Sequence, residues 1–368
     1  MVPSGSSFLN DQEPEVTSSK YFVIVGQFQK QLICLGLLKR RQKMENQSAV
    51  SEVFLVGFPG LPQDMHSLLS TAMFLVYIFS LTANGSVICL VTLNASLHQP
   101  MYLLIANLTT SGLLFDTVTL PKLIARFWFG SSSINFNVCL FQMFLVHSLG
   151  SLDSFLLMEM AIDRYVAISQ PLRYSLIITN KRLVVICVMT WIVLAPSTNA
   201  VIAMQTSEVV LYCPSSPKNI NTLFCTQTTV TALACRDATN PRKFAFVCAM
   251  VVLLLPLGVI LLSYFLILLE IFTSFRSENW QKAFYTCATH LLVVTLYYMP
   301  RIFTYIVTNI PSIIIIKPDI NALLLFSFSN VPHMANPIIY FLRTKEIRQT
   351  LTKSLQRIKY RVGKMSIF

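Results

Sequence analysis

Phe244–Leu269, FAFVCAMVVLLLPLGVILLSYFLILL, runs for 26 residues without one Asp, Glu, Lys or Arg. A helix that crosses a bilayer core needs about 20 mostly apolar residues, and this run exceeds that length. Working outward, Leu183–Ser207 precedes it, and Ala283–Pro300 follows it and extends past Arg301. Ile320–Leu342 comes last. Toward the N-terminus, Cys139–Leu152 continues through Asp153 and Glu159 to Asp163. Pro100–Phe115 runs on past Asp116 to Pro121, and Ser67–Gln99 is the first window. In lipid only helices and closed barrels satisfy their backbone polar groups. These runs are too long, and alternate too little, for barrel strands. The predicted fold is an all-α membrane protein, a seven-transmembrane helix bundle.

Composition agrees. Of 368 residues, 54% are hydrophobic and 12% charged, against about 25% charged in a typical soluble domain. A soluble enzyme, a disordered chain and a collagen-like chain are excluded. The net charge of +12 would suggest nucleic acid in a soluble protein, but here the placement of the charges matters more. No nucleic-acid partner is expected. Nine cysteines without a C-x-x-C pair give little support to zinc.

Lys and Arg collect on the cytoplasmic side of membrane proteins. One side holds Arg164, Arg173, Lys181, Arg182, Arg276, Lys282 and the tail residues Arg343, Lys345, Arg348, Lys353, Arg357, Lys359, Arg361 and Lys364. The other holds Lys122, Arg126, Lys218, Arg236, Arg242, Lys243 and Lys317. The C-terminus is therefore expected inside and the segment before the first span outside, in a multi-pass plasma-membrane protein.

Residues 1–43 do not conform. Tyr21–Leu38 is only moderately apolar, and Lys39, Arg40, Arg41 and Lys43 follow it, on the wrong side for a signal peptide. They are expected to be a non-spanning extension, an upstream start ahead of a natural one at Met44. Asn46 then opens an N-x-Ser glycosylation sequon in an outer segment 44–66. The bundle covers 67–342 and the cytoplasmic tail 343–368. In the tail Ile347, Leu351, Leu355 and Ile358 form an apolar stripe among basic residues. Such a helix lies on an anionic membrane surface, which makes inner-leaflet lipid a partner.

Met160-Ala161-Ile162-Asp163-Arg164-Tyr165-Val166-Ala167-Ile168 closes span three, and Asn336-Pro337-Ile338-Ile339-Tyr340 lies near the end of span seven. Leu97-His98-Gln99-Pro100-Met101-Tyr102 enters span two, Ser263-Tyr264 lies in span five, and Lys282-Ala283-Phe284-Tyr285-Thr286-Cys287-Ala288-Thr289-His290-Leu291 enters span six. With a long second outer loop bearing three cysteines, the chain from Met44 to about Leu355 resembles a vertebrate odorant receptor of the rhodopsin-like G-protein-coupled family. Gly57-Phe58-Pro59-Gly60-Leu61 is similar to the class I, fish-like branch.

The resemblance implies a receptor that binds a small odorant in the outer half of the bundle and activates the olfactory stimulatory heterotrimeric G protein. It implies no enzyme and no cofactor beyond an allosteric sodium ion. Arg164 would pair with Asp163 at rest and meet the G protein on activation. Tyr165, Tyr264, His290, Asn336, Pro337 and Tyr340 would belong to the same coupling machinery. Pro337 has no N–H to donate and so kinks its helix. The family pairs Cys139 with Cys225 and Cys213 with Cys235.

The sequence departs from the family at the ion site, because the span-two position of the family's acid is Gly112 here. Asp116, one turn on, is the substitute, opposite Asp153. Asn84 resembles the family's packing residue. Span seven has no Lys for a retinal Schiff base, and Val146 stands where amine receptors carry Asp.

Phe144, His147 and Ser151 share one face of span three. Tyr298, Arg301, Ile302 and Tyr305 recur in span six. An apolar cavity with a few polar groups suits small organic ligands. His147 could donate to a ligand or be satisfied by a neighbouring helix. Arg301 could face inward and hold a carboxylate, or reach headgroups. Acid receptors of the class I branch place their Arg about two turns higher, where Asn309 stands.

Two rivals remain. One is a non-olfactory chemosensory receptor on the same scaffold. The other is a transporter or channel with Asp153 and Glu159 along a polar path, for which internal repeats are expected.

Overall fold

The computed structural model describes residues 51–210, 219–234, 237–273, 280–309 and 317–365. Among them are seven long helices and one further helix at the C-terminal end. The first, α1, is His66–Leu93. Pro100–Phe129 is α2, opened by a Pro that costs no intrahelical bond there and closed by Gly130 at φ 70°, a left-handed conformation that Gly adopts without strain. Phe136–Ser169 is α3, whose first free N–H groups are met in part by Asn135, accepting from Asn137 N at 3.0 Å.

The fourth span, α4, consists of Asn180–Met189 and Ala195–Val210, joined by π-helical Thr190–Leu194. That π turn ends two residues before Pro196, whose missing N–H would interrupt an α ladder. Then come α5 (Thr239–Thr273), α6 (Trp280–Asn309), α7 (Pro318–Arg343) and α8 (Lys345–Met365).

By length and composition, six of these are apolar enough to cross a membrane among the described residues: Gln63–Leu93, Pro100–Phe129, Phe136–Ser169, Asn180–Glu208, Thr239–Glu270 and Cys287–Val307. The seventh predicted span is present as α7, but its composition is more polar. Ser329, Asn330, His333 and Asn336 are all buried, so the helix turns its polar face into the bundle rather than toward lipid.

Helix α3 packs against α2, α4, α5 and α6, while α7 packs against α6, α1 and α2. The fully buried Phe115, Leu104, Ile105, Leu152, Leu156 and Leu157 form the middle of the core. On α4 and α5, Val185, Ile192, Leu255 and Phe265 are exposed, as lipid-facing residues should be.

One piece differs from expectation. Segment 44–66, predicted as a plain outer segment, contains strand β1 (Glu52–Leu55). It pairs antiparallel with β2 (Ser133–Asn135), with Val53 opposite Ile134, and parallel with β3 (Asn219–Ile220), with Leu55 opposite Ile220. Beneath this sheet Val53, Leu55, Ile134, Phe136, Cys139, Ile220 and Cys225 form a second, smaller core. The pairing is non-local, so no short stretch of sequence announces it.

Residues 1–50, including Asn46 and the 1–43 extension, lie outside the described residues, as do Cys213 and Cys235.

Candidate functional site

Cys139 of α3 is bonded to Cys225. Beside that bond, Gln142 of α3 accepts from Cys225 N at 3.1 Å and donates to Val118 O of α2 at 2.9 Å. The second outer loop is thus held across the top of the bundle, and a cavity of ≈ 130 Å³ lies under it. His147, Gly150 and Ser151 of α3, Asn199 of α4, Tyr297, Arg301 and Tyr305 of α6 and Phe328 of α7 line it. Thr222, Thr226, Thr228 and Thr229 form part of its loop side. Apolar lining comes from Val146, Ile202, Val252 and Leu253 among others.

Polar groups in the cavity are mostly bonded to one another. Ser151 accepts from Asn199 Nδ2 at 3.0 Å and donates to His147 O at 2.9 Å. His147 Nε2 accepts from Gln227 N at 3.3 Å, which leaves the ring proton on Nδ1. Arg301 donates from Nη1 to Gly150 O at 3.2 Å and to the Tyr297 hydroxyl. Its guanidinium carbon lies 4.2 Å from the Tyr297 ring centroid and 5.5 Å from that of Phe328.

Of the predicted ligand residues, the structure places His147, Ser151, Arg301 and Tyr305 on the cavity. Phe144, Tyr298 and Ile302 do not line it. Phe144 stacks on lipid-exposed Phe141. Tyr298 is buried against α3, its hydroxyl 2.7 Å from Ser154 Oγ. Ile302 packs into the core. On α6 the cavity takes Tyr297, Arg301, Thr304 and Tyr305, so the expected face shares Arg301 and Tyr305 with it, and Tyr297 and Thr304 stand in place of Tyr298 and Ile302. Asn199, Tyr297, Phe328 and the loop threonines were missed.

At the other end of α3, Arg164 holds Asp163 through Nη2 at 2.5 Å and Nε at 3.0 Å. A second partner of Asp163 was not predicted. Tyr174, in the one-turn helix Tyr174–Ile177, donates to Asp163 Oδ1 at 2.6 Å. Burial and then that carboxylate push the Tyr174 phenol above its ordinary pKa, so it stays a donor. Tyr165 packs against the core. The Tyr264 hydroxyl meets His290 Nδ1, joining α5 to α6. Asn336 Oδ1 and the Tyr340 hydroxyl are buried without a hydrogen-bond partner among the described residues. Buried polar groups left unpaired cost free energy in this form.

Between the two ends lies a cluster that the sequence reading left incomplete. His333 of α7 stands between the acids, with Nδ1 3.0 Å from Asp116 Oδ1 and Nε2 3.5 Å from Asp153 Oδ2. Asp116 Oδ2 accepts from Ser80 of α1. Gly112 makes room: a Cβ there would lie 3.0 Å from the His333 ring. A sodium ion shared by Asp116 and Asp153 would need the place this ring holds. The residues therefore do not fit a bridging ion. Asn84 donates to His333 O at 3.2 Å and to Ser80 O at 3.1 Å, a structural role.

Glu159 is held elsewhere, by Thr190 of α4 at 2.6 Å. Asp153 and Glu159 thus bond to different helices and do not share a path, which counts against a channel.

The profile of the family described as olfactory receptor matches residues 73–358. Olfactory receptor 52K1 of Homo sapiens is 34% identical over 307 residues, covering 82% of this chain and 94% of that protein. Olfactory receptor-like protein I9 of Rattus norvegicus is 35% identical over 309 residues, covering 84% and 95%. Olfactory receptor 6B9 of Mus musculus is 33% identical over 312 residues, covering 85% and 96%. Among solved structures, squid rhodopsin superposes with a TM-score of 0.64 at 17% identity, over 81% of this chain and 87% of its own. That likeness is one of fold.

Proposed function

Because this chain belongs to the olfactory receptor family, we propose that the cavity under the Cys139–Cys225 loop is its odorant site and the Asp163–Arg164 end its G-protein switch. The chain is a multi-pass membrane receptor that acts through a G protein, and not an enzyme. The observation that carries the assignment of sites is that one helix, α3, supplies both His147 and Ser151 to the cavity and Asp163 and Arg164 to the opposite end. An agonist that binds an open form better than the closed one shifts the population toward it. Opening the inner end requires that Asp163 give up Arg164 and Tyr174.

The disulfide supports the orientation. Such bonds persist on the oxidising side of the membrane, so the Cys139 end of α3 faces out and α8 faces in. On α8, Ile347 is buried and Leu351 packs on the core, while Lys345, Arg348 and Lys353 are exposed. That arrangement suits the anionic inner leaflet. In our reading the partner is the olfactory stimulatory G protein, and residues 44–66 are extracellular with Asn46 glycosylated. The fish-like branch rests on Gly57–Leu61 alone.

The test is a cAMP assay in cells that carry the olfactory stimulatory G protein, with surface expression confirmed by labelling. Odorant-evoked cAMP that disappears in Arg164→Ala at equal surface level supports the reading. A response retained in Arg164→Ala, or ligand-free ion flux, sinks it.

A further inference from the structure

Arg301 is the only Asp, Glu, Lys or Arg among the residues lining the cavity, and it is 6% exposed. A buried charge is costly unless a counter-charge or a full set of hydrogen bonds offsets it. Neither is present. No carboxylate lies within ion-pair distance of Arg301 among the described residues. The acids at mid-membrane are already engaged with His333.

The guanidinium uses one nitrogen only. Nη1 donates to Gly150 O and to Tyr297. Among the described residues Nε is buried with no hydrogen-bond partner, and Nη2 makes no hydrogen bond. Nε and Nη2 form one edge of the planar group. Their two parallel N–H bonds match the two oxygens of a carboxylate.

The group is also held in place. The Tyr297 and Phe328 rings flank it, and a Cβ on Gly150 would come within 2.8 Å of Nη1. Ordering an Arg side chain in advance lowers the entropy that a ligand must overcome.

We propose that the ligand of this receptor is a small carboxylic acid, bound as carboxylate across the Nε–Nη2 edge of Arg301. Its apolar tail lies against Val146, Ile202, Val252 and Leu253, and the small cavity favours a short tail. This rests on the reading of the cavity as the odorant site. An alcohol, an ester or an amine of the same length leaves the edge unsatisfied or adds a second positive charge.

The test uses short straight-chain acids, each with its alcohol and methyl ester, on the full chain. Two readouts are taken: the melting temperature of the detergent-purified receptor and cAMP in cells. Acids are expected to raise the melting temperature and cAMP, and their neutral partners are not. Arg301→Gln is expected to weaken the acids about 10–100-fold, the range of a charged hydrogen-bonded contact. Gly150→Ala, which crowds Nη1 and leaves Arg301 in place, is expected to weaken them in the same direction.

Esters or alcohols equal to the acids would overturn the proposal. So would acids that act equally on Arg301→Gln, sodium chloride that stabilises as well as an acid salt, or a wild-type protein that no acid stabilises. The wild-type comparison needs no variant to fold. Acids that stabilise the protein without raising cAMP would keep the carboxylate site and sink the receptor reading instead.

Discussion

Tyr174 and Arg164 share one carboxylate, that of Asp163, and under the proposed function that sharing sets how firmly the inner end is closed. A hydrogen bond to a charged group contributes about 1.5–3 kcal/mol. Tyr174→Phe removes one such bond and leaves Arg164 in place. Ligand-free cAMP is expected to rise several-fold at matched surface level; an unchanged basal signal would show that Tyr174 is not part of the closure. His333 presents a second case. His333→Leu leaves Asp116 and Asp153 buried without the ring between them, and breaking a buried pair costs about 3–5 kcal/mol. The variant is expected to melt lower or be retained inside the cell. The wild type is expected to melt at the same temperature in sodium and in N-methylglucamine buffers. At this scale the sequence was partly legible. Asp116 stood out as an acid in an apolar run. His333 could not be matched to it, because the two are 217 positions apart and only the packing of α7 on α2 brings them together.

The helices were legible because lipid imposes one rule on every span. Phe244–Leu269 expands to Thr239–Thr273 and Leu183–Ser207 to Asn180–Val210, each lengthened by ends that carry charge outside the hydrocarbon. The β1 strand was not legible, since its pairing partners lie far along the chain. The outer sheet gives a prediction at this scale. Val53 and Leu55 are fully buried in the small core around Cys139 and Cys225. Cys225→Ser opens a loop of 86 residues, and a native disulfide over such a span contributes about 2–5 kcal/mol. Val53→Asp buries a charge in the same core. Both are expected to reduce the surface-labelled fraction. If Val53→Asp leaves it unchanged while Cys225→Ser lowers it, the sheet is not supporting the loop.

For the whole molecule, the cavity and the inner end must be coupled through a change of state, and coupling is reciprocal. If an agonist favours G-protein binding by some factor, bound nucleotide-free G protein raises agonist affinity by the same factor. Radioligand or fluorescent-ligand binding with and without the G protein reads this directly. The shift is expected in the wild type and absent in Arg164→Ala. An affinity that G protein does not move would mean that the two ends of α3 are not linked.

The residue order alone determined the class of protein, the number of helices and the motifs at the two ends of α3. Hydrophobic length and charge placement are summed along the chain, and a bilayer reads that sum directly. Tertiary structure decided which residues of α6 meet the cavity, that Arg301 lines it with Nε unpaired among the described residues, that His333 sits between two acids, and that a strand near residue 52 pairs with two distant segments. Each of these is a contact between segments distant in sequence, and the phase and register of such contacts are set by packing, which no local pattern encodes.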